Sequence, residues 1–189
     1  MNATLTRDAG LLGGLIAAAH EAGLTVRSAA AWPAGPDDAL PSLPGFVDST
    51  FSPLVAAVAA RCLSHREPAD PTALVLLSPL GDVATAVHLA HAVDHGERVG
   101  PLLFFQSVPN AVAGHVAARW GLRGPVVCLS ADASGLAAAA LLLADGDADA
   151  ALVIVADQAP PGSAATDRAA AVLVTAVTPV TAVTGGKAS

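Results

Sequence analysis

Four continuous apolar runs constrain this chain more than any other feature: ALVLLS (73–78), PVVCLS (125–130), ALVIVAD (151–157) and AAVLVTAV (170–177). A strand with one wet face alternates apolar and polar residues. These runs do not, so each is expected in a sheet covered on both sides. Between them lie stretches with helical spacing: GDVATAVHLAHAVDHG (81–96), closed by Gly96, SVPNAVAGHVAARWG (107–121), a turn entering a helix that stops at glycine, and the alanine-rich segment 133–144. Strands alternating with helices predict an α/β fold, a mostly parallel sheet with helices on both faces.

The upstream part is less regular. LLGGLIAAAHE (11–21) predicts a helix stopped by Gly23, and LTVRSAAAW (24–32) alternates as a first strand. The segment 33–50, which includes PAGPDDALPSLPGF, spaces its prolines and glycines too closely for a helix, so an irregular surface excursion is expected. SPLVAAVAARCLSH (52–65) recovers helical character, with Ser52 as the expected cap and Pro53 at the first helical position. LLFFQ (102–106) is a further short apolar run. With no repeat and no linker, the 189 residues suit one domain, 1–189, ending in a flexible tail at 185–189.

Composition removes several function classes. The chain is 53% hydrophobic but only 3% aromatic, so its core must rest on close backbone packing of alanine and valine. A net charge of -7 with no basic cluster argues against nucleic acid, whose phosphates require a concentrated cationic surface. The apolar runs fall short of the roughly 20 residues that span a bilayer, and the start lacks a signal-peptide pattern, so no membrane partner and a cytoplasmic location are expected. Cys62 and Cys128 lack zinc-site spacing and are expected as free thiols.

Two local constellations invite chemistry. His88, His91 and His95 share one helix, with His91 and His95 a turn apart, but neither HExxH nor a cysteine pair accompanies them. A surface helix without a metal is the expected reading. The elbow SADASG (130–135), between PVVCLS and the alanine helix, places Asp132 where many α/β enzymes display a nucleophile. It is not G-x-S-x-G, although Ser130 and Ser134 flank the tip. Asp132 can be read as a carboxylate nucleophile needing a base to deliver water, or as a group that accepts N–H bonds at a helix start. The elbow alone leaves both readings open. No glycine-rich phosphate loop or dinucleotide fingerprint occurs, so no cofactor is expected; Gly114 and Gly135 read as sites of close packing. Asn110 reads as a helix cap, His115 as a half-buried histidine and Arg123 as support for the loop before Pro125.

The stretch from Val108 to Asp157 resembles the N-terminal half of β-ketoacyl synthases, the condensing enzymes of fatty-acid and polyketide assembly. The matching pieces are P-N-A-V-A-G-H entering a helix, W-G-L-R-G-P closing it, S-A-D-A-S-G at the elbow and G-D-A-D-A-A-L-V before the next strand. The resemblance implies a thiolase-like fold. It also implies that Asp132 occupies the position of the cysteine that holds the acyl chain as a thioester. Cys128, four residues earlier within a strand, is not placed to replace it. The family's two catalytic histidines and its lysine lie downstream in a second half; the only residue of these types after the elbow here is Lys187. Thiolate and polarising donors are what the condensation needs, so a non-catalytic role is expected.

The chain further resembles the inactive ketosynthase partners called chain-length factors, in its length, its missing cysteine and its Trp32-Pro-Ala-Gly-Pro segment. This implies a heterodimer with an active β-ketoacyl synthase in type II polyketide or aryl-polyene-type biosynthesis, with acyl carrier protein engaged indirectly. The strand before the elbow, with Val127, Cys128, Leu129, Ser130 and then Asp132, would form a sheet edge at the partner. Gln106, Ser107, Val108, Pro109 and Asn110 would lie by the partner's acyl pocket. The alternatives are a small hydrolase or decarboxylase of carrier-bound acyl groups using Asp132, and a homodimeric scaffold for carrier protein.

Overall fold

The structure, a computed structural model, describes residues 10–35, 37–46, 49–64, 69–131 and 134–177; of Ser134 only the backbone is described. Helix α1 (Gly10–Glu21) turns at Gly23 into strand β1 (Leu24–Trp32). The expected irregular excursion follows, up to α2 (Phe51–Leu63). Strand β2 (Thr72–Leu77) leads to α3 (Val83–Asp94), the short α4 (Pro101–Gln106) and α5 (Pro109–Trp120). Then come β3 (Val126–Leu129), α6 (Ser134–Ala144), β4 (Ala150–Asp157) and β5 (Arg168–Ala176).

The five strands form one sheet in the order β1-β5-β4-β2-β3. β2 is parallel to β3 and to β4, whereas β5 is antiparallel to β4 and to β1. All strands but β5 therefore point the same way, so the parallel character expected from the apolar runs holds and β5 is inserted against it. Helices cover both faces. Along β2, Leu74 and Leu76 join Phe51, Leu54, Val58, Val112 and Val116 from α2 and α5. The intervening Ala73, Val75 and Leu77 meet Leu15 and Ala19 of α1 and Leu136, Ala139 and Leu143 of α6. Burial on alternate sides is why the strand sequences need no polar positions, and each fully buried leucine contributes about 1.5–3 kcal/mol.

Local chemistry corrects several boundaries. α2 begins at Phe51, not at Ser52, because the Ser49 hydroxyl accepts the Phe51 N–H at 3.1 Å and Phe51 is drawn into the core. Ser52 is buried within the first turn and Pro53 is the third helical residue; His65, at the expected end, lies outside the described residues. The LLFFQ run is part of a helix, started by Pro101. Asn110 is not a cap: Val108 is extended, as a residue before proline prefers, and Pro109 opens α5. That helix ends at Gly121 in the left-handed conformation (φ 65°), as its glycine stop predicts. Gly135 is a close-packing site against Leu77, but a side chain at Gly114 would meet nothing within 4 Å. The tail 185–189 lies outside the described residues.

Candidate functional site

In sheets with parallel strands, ligand crevices lie off the carboxyl ends. Here those ends are Ser78 after β2, Ser130 after β3 and Gln158 after β4. Ser78 N–H donates to Leu129 O at 3.1 Å, and the Ser78 hydroxyl accepts from Gly81 N–H at 3.0 Å, which folds the loop leading to α3. Ser130 is exposed. Asp132 and Ala133 lie outside the described residues, as does the Ser134 side chain.

Beside this loop is a hub of polar side chains, of which Asp82, Thr85 and Gln158 are buried. Asp82 caps α3: Oδ1 accepts Thr85 N–H at 3.0 Å and Oδ2 accepts the Thr85 hydroxyl at 2.9 Å. The Ser49 hydroxyl donates to the same Oδ1 at 2.6 Å. Gln158 closes the ring, donating from Nε2 to Ser49 Oγ (3.0 Å) and Thr50 Oγ1 (2.9 Å) and accepting Ala84 N–H at Oε1 (3.1 Å). Thr50 in turn donates to Asp167, whose other oxygen accepts Ala159 N–H at 2.9 Å. Phe46, Ser49, Ser52, Asp82, Thr85 and Gln106 line a niche of about 10 Å³, room for a single water. Among the described residues no buried side-chain polar atom lacks a partner. With its carboxylate taken up in capping, Asp82 is engaged as a structural acceptor, and the hub offers no free base.

The expected interface residues fall on both sides of the surface. Gln106 turns inward, 7% exposed, and lines the niche. Val108 and Asn110 are exposed, while Ser107 and Pro109 are half-buried. Among the described residues, β3 is an outer strand of the sheet, hydrogen-bonded to β2 alone. Val127, Cys128 and Leu129 are half-buried and Val126 is exposed. α5 packs against β3, and α4 packs against α5. The α3–α4 segment beyond them presents Val87, Val93, Leu102, Phe104 and Phe105 to solvent.

Among the described residues, neither thiol is primed for nucleophilic chemistry. Burial pushes the Cys128 thiol up to about 11, away from the thiolate, and Cys128 packs toward the α2–α5 side of the sheet. Burial raises Cys62 as well, against a weaker opposing contact with Ser28 Oγ at 3.3 Å. His91 and His95 stack with ring centroids 4.0 Å apart on the exposed face of α3, where His95 Nδ1 lies 2.8 Å from His91 O. Among the described residues, no three His, Cys, Asp or Glu side chains converge as a metal site would require. His115 is half-buried, edge-on to Phe46 at 5.8 Å, and Arg123 pairs with Asp70 at 3.0 Å. No helix among the described residues is long and apolar enough to cross a membrane.

At the far edge of the sheet, Arg61 grips Asp38 with two nitrogens at 2.9 Å, donates to Ala31 O at 3.2 Å and lies over the Trp32 ring at 4.3 Å. The Arg61 bonds, helped by the Ala34 N–H, hold the Asp38 carboxyl down at about 2. This cluster ties the excursion to β1 and α2.

Sequence reasoning missed the hub. Only Asp82 left a local trace, an acid three residues before Thr85 at a helix start. Ser49 and Gln158 are 109 residues apart and meet only through the fold.

The family described as β-ketoacyl synthase, N-terminal domain, matches residues 25–184. The fold is similar to that in a ketosynthase (ApeO) in complex with its chain length factor (ApeC) from Xenorhabdus doucetiae. That match has a TM-score of 0.67 at 17% identity and covers 83% of this chain and 80% of that one. The ishigamide ketosynthase/chain length factor gives a TM-score of 0.59 at 16% identity, over 74% of this chain and 48% of that one. Ketosynthase twelve of the bacillaene polyketide synthase from Bacillus amyloliquefaciens gives 0.51 at 12% identity, over 66% of this chain and 28% of that one. No curated protein sequence matches the chain.

Proposed function

Because the chain belongs to the β-ketoacyl synthase family through its N-terminal domain, we propose that it is a non-catalytic, chain-length-factor-like subunit that pairs with an active β-ketoacyl synthase. The observation that carries this reading is the outer position of β3 with Val126 exposed. An apolar edge strand left open is a template for aggregation, and a partner's strand is its natural cover.

The non-catalytic part rests on residue chemistry. Asp132 stands where the family's thioester-forming cysteine belongs, and a carboxylate does not supply that thiolate. Cys128 is a half-buried thiol that burial holds neutral, so it supplies no substitute. In the heterodimer, Val108 and its neighbours Ser107, Pro109 and Asn110 shape the partner's acyl pocket, and acyl carrier protein is engaged through the partner. The pathway class that fits is type II polyketide or aryl-polyene-type assembly; two of the similar structures contain a ketosynthase and a chain length factor.

Co-expression with candidate ketosynthases, followed by native mass measurement, tests the pairing. One-to-one complexes are expected, and Asp132→Asn is expected to leave binding and product formation intact. A stable monomer with no affinity for any ketosynthase overturns the proposal. Loss of turnover by the isolated chain on Asp132→Asn would instead establish acid chemistry at the elbow.

A further inference from the structure

The end of α3 carries two imidazoles in register. His91 and His95 are exposed, one turn apart, and their ring planes lie 17° from parallel at the 4.0 Å stacking distance. His95 Nδ1 is 2.8 Å from His91 O. A carbonyl oxygen can only accept, so Nδ1 carries the hydrogen, and the lone pair of the neutral ring is on Nε2. Histidines that bind metal ions are held in this manner, the second ring nitrogen donating to a backbone carbonyl or a carboxylate. Among the described residues this is the one hydrogen bond that either ring makes. The position favours a cation: the pair sits at the C-terminal end of α3, where the helix dipole is negative, with Asp94 exposed beside it. Packing holds this end of the helix through Ala92, since Thr85 is the only other buried residue of α3.

We propose that His91 and His95 form an open, exchangeable site for a divalent cation of the kind imidazole prefers, Zn²⁺, Ni²⁺ or Cu²⁺, with one ring nitrogen from each residue and water in the remaining positions. Two nitrogens at about 2.0–2.1 Å from one ion are roughly 3.3 Å apart in a tetrahedral shell, so parallel rings 4.0 Å apart need only tilt together. Both side chains are exposed, and no packing opposes that tilt. A closed structural site takes three or four protein ligands, a set that the described residues do not bring together; two ligands give weaker, reversible capture. The ring contact joins His91 to His95 and does not include His88. Because the ion ties residues four apart, it also staples the last turn: a frayed end separates the rings and binds less well, so ion and helix stabilise each other.

Calorimetric titration of the full chain with zinc chloride and with nickel chloride, in a buffer that does not chelate, tests the site, and hydrogen exchange with and without the ion tests the staple. One ion per chain is expected. His91→Ala and His95→Ala are each expected to weaken binding at least about tenfold, because the second imidazole acts as an intramolecular ligand. His88→Ala is expected to change nothing. The double variant His95→Ala with Val93→His keeps the number of histidines but sets them two residues apart on different sides of the helix; it is expected to bind as weakly as His95→Ala alone. Val93 is 74% exposed, so the fold tolerates that change. With the ion present, exchange of the amides of 91–95 is expected to slow in the unmodified chain and not in the alanine variants. An unmodified chain that binds neither ion overturns the site, as does equal affinity in the His91→Ala, His95→Ala or double variant. Binding that leaves exchange of the last turn unchanged overturns the staple.

Discussion

Gly135 lies so close to Leu77 that a Cβ built on it would overlap both leucine methyl carbons and meet Cγ at 2.9 Å. This contact seats the start of α6 on β2, beside the elbow. Gly135→Ala is expected to destabilise the fold by about 1–3 kcal/mol through overpacking. In urea this reads as a lower midpoint at an unchanged slope. Gly114→Ala is the opposite case, since its helical position faces open space; a gain of about 0.5–1 kcal/mol is expected. Equal midpoints for the two variants would refute the contact.

Asp38 supplies a pH dependence of definite sign. Its carboxyl titrates near 2 in the fold against 3.8 for the free group. The folded state therefore favours the charged form, and the benefit is complete above the ordinary value and lost as pH falls through about 2. Trp32 lies beneath Arg61, so its emission should change over this acid range in a Trp120→Phe background. Asp38→Asn should already show the altered emission at neutral pH. A profile unaffected by that substitution would exclude the pair as its origin.

Cys128 is expected to behave as a core residue. With its pKa near 11 instead of 9.0, its thiolate fraction at pH 8 falls about a hundredfold, and iodoacetamide labelling should slow accordingly relative to the urea-unfolded chain. The same shift lowers stability as pH rises past 9, where the unfolded chain ionises first. Rapid labelling of the folded protein would mark an activated thiol and reopen the question of chemistry at this strand.

Val126→Lys tests the open edge. The residue is 41% exposed, so the isolated chain should change by no more than about 0.5 kcal/mol. A lysine at a strand edge obstructs pairing with another strand, and copurification of the ketosynthase should be lost. Retained copurification would place the partner elsewhere on the molecule.

Much of this architecture was legible before any coordinates. Runs such as 73–77 and 151–156, apolar at every position, require cover on both faces, while the tip of the elbow after PVVCLS lies outside the described residues. Boundaries set by distant partners were not legible. Ser49 starts α2 earlier than the Ser52-Pro53 pair suggests, and LLFFQ becomes a helix because Pro101 opens it. The hub joins Ser49, Asp82 and Gln158 from separate loops, and periodicity within any one segment contains no trace of such a meeting. Gln106 shows the same limit: its place in the chain suggested a surface role, yet the fold turns it toward the niche.

The position of β5 bears on how the protein is made. Although it is the last strand among the described residues, it lies between β1 and β4, joining Leu24–Trp32 to the rest of the sheet. During synthesis β1 therefore waits without its neighbour until Arg168–Ala176 has left the ribosome. Closure of so long-range a contact is slow, and a nascent chain paused before that point exposes two unfinished edges where the mature sheet has a continuous interior.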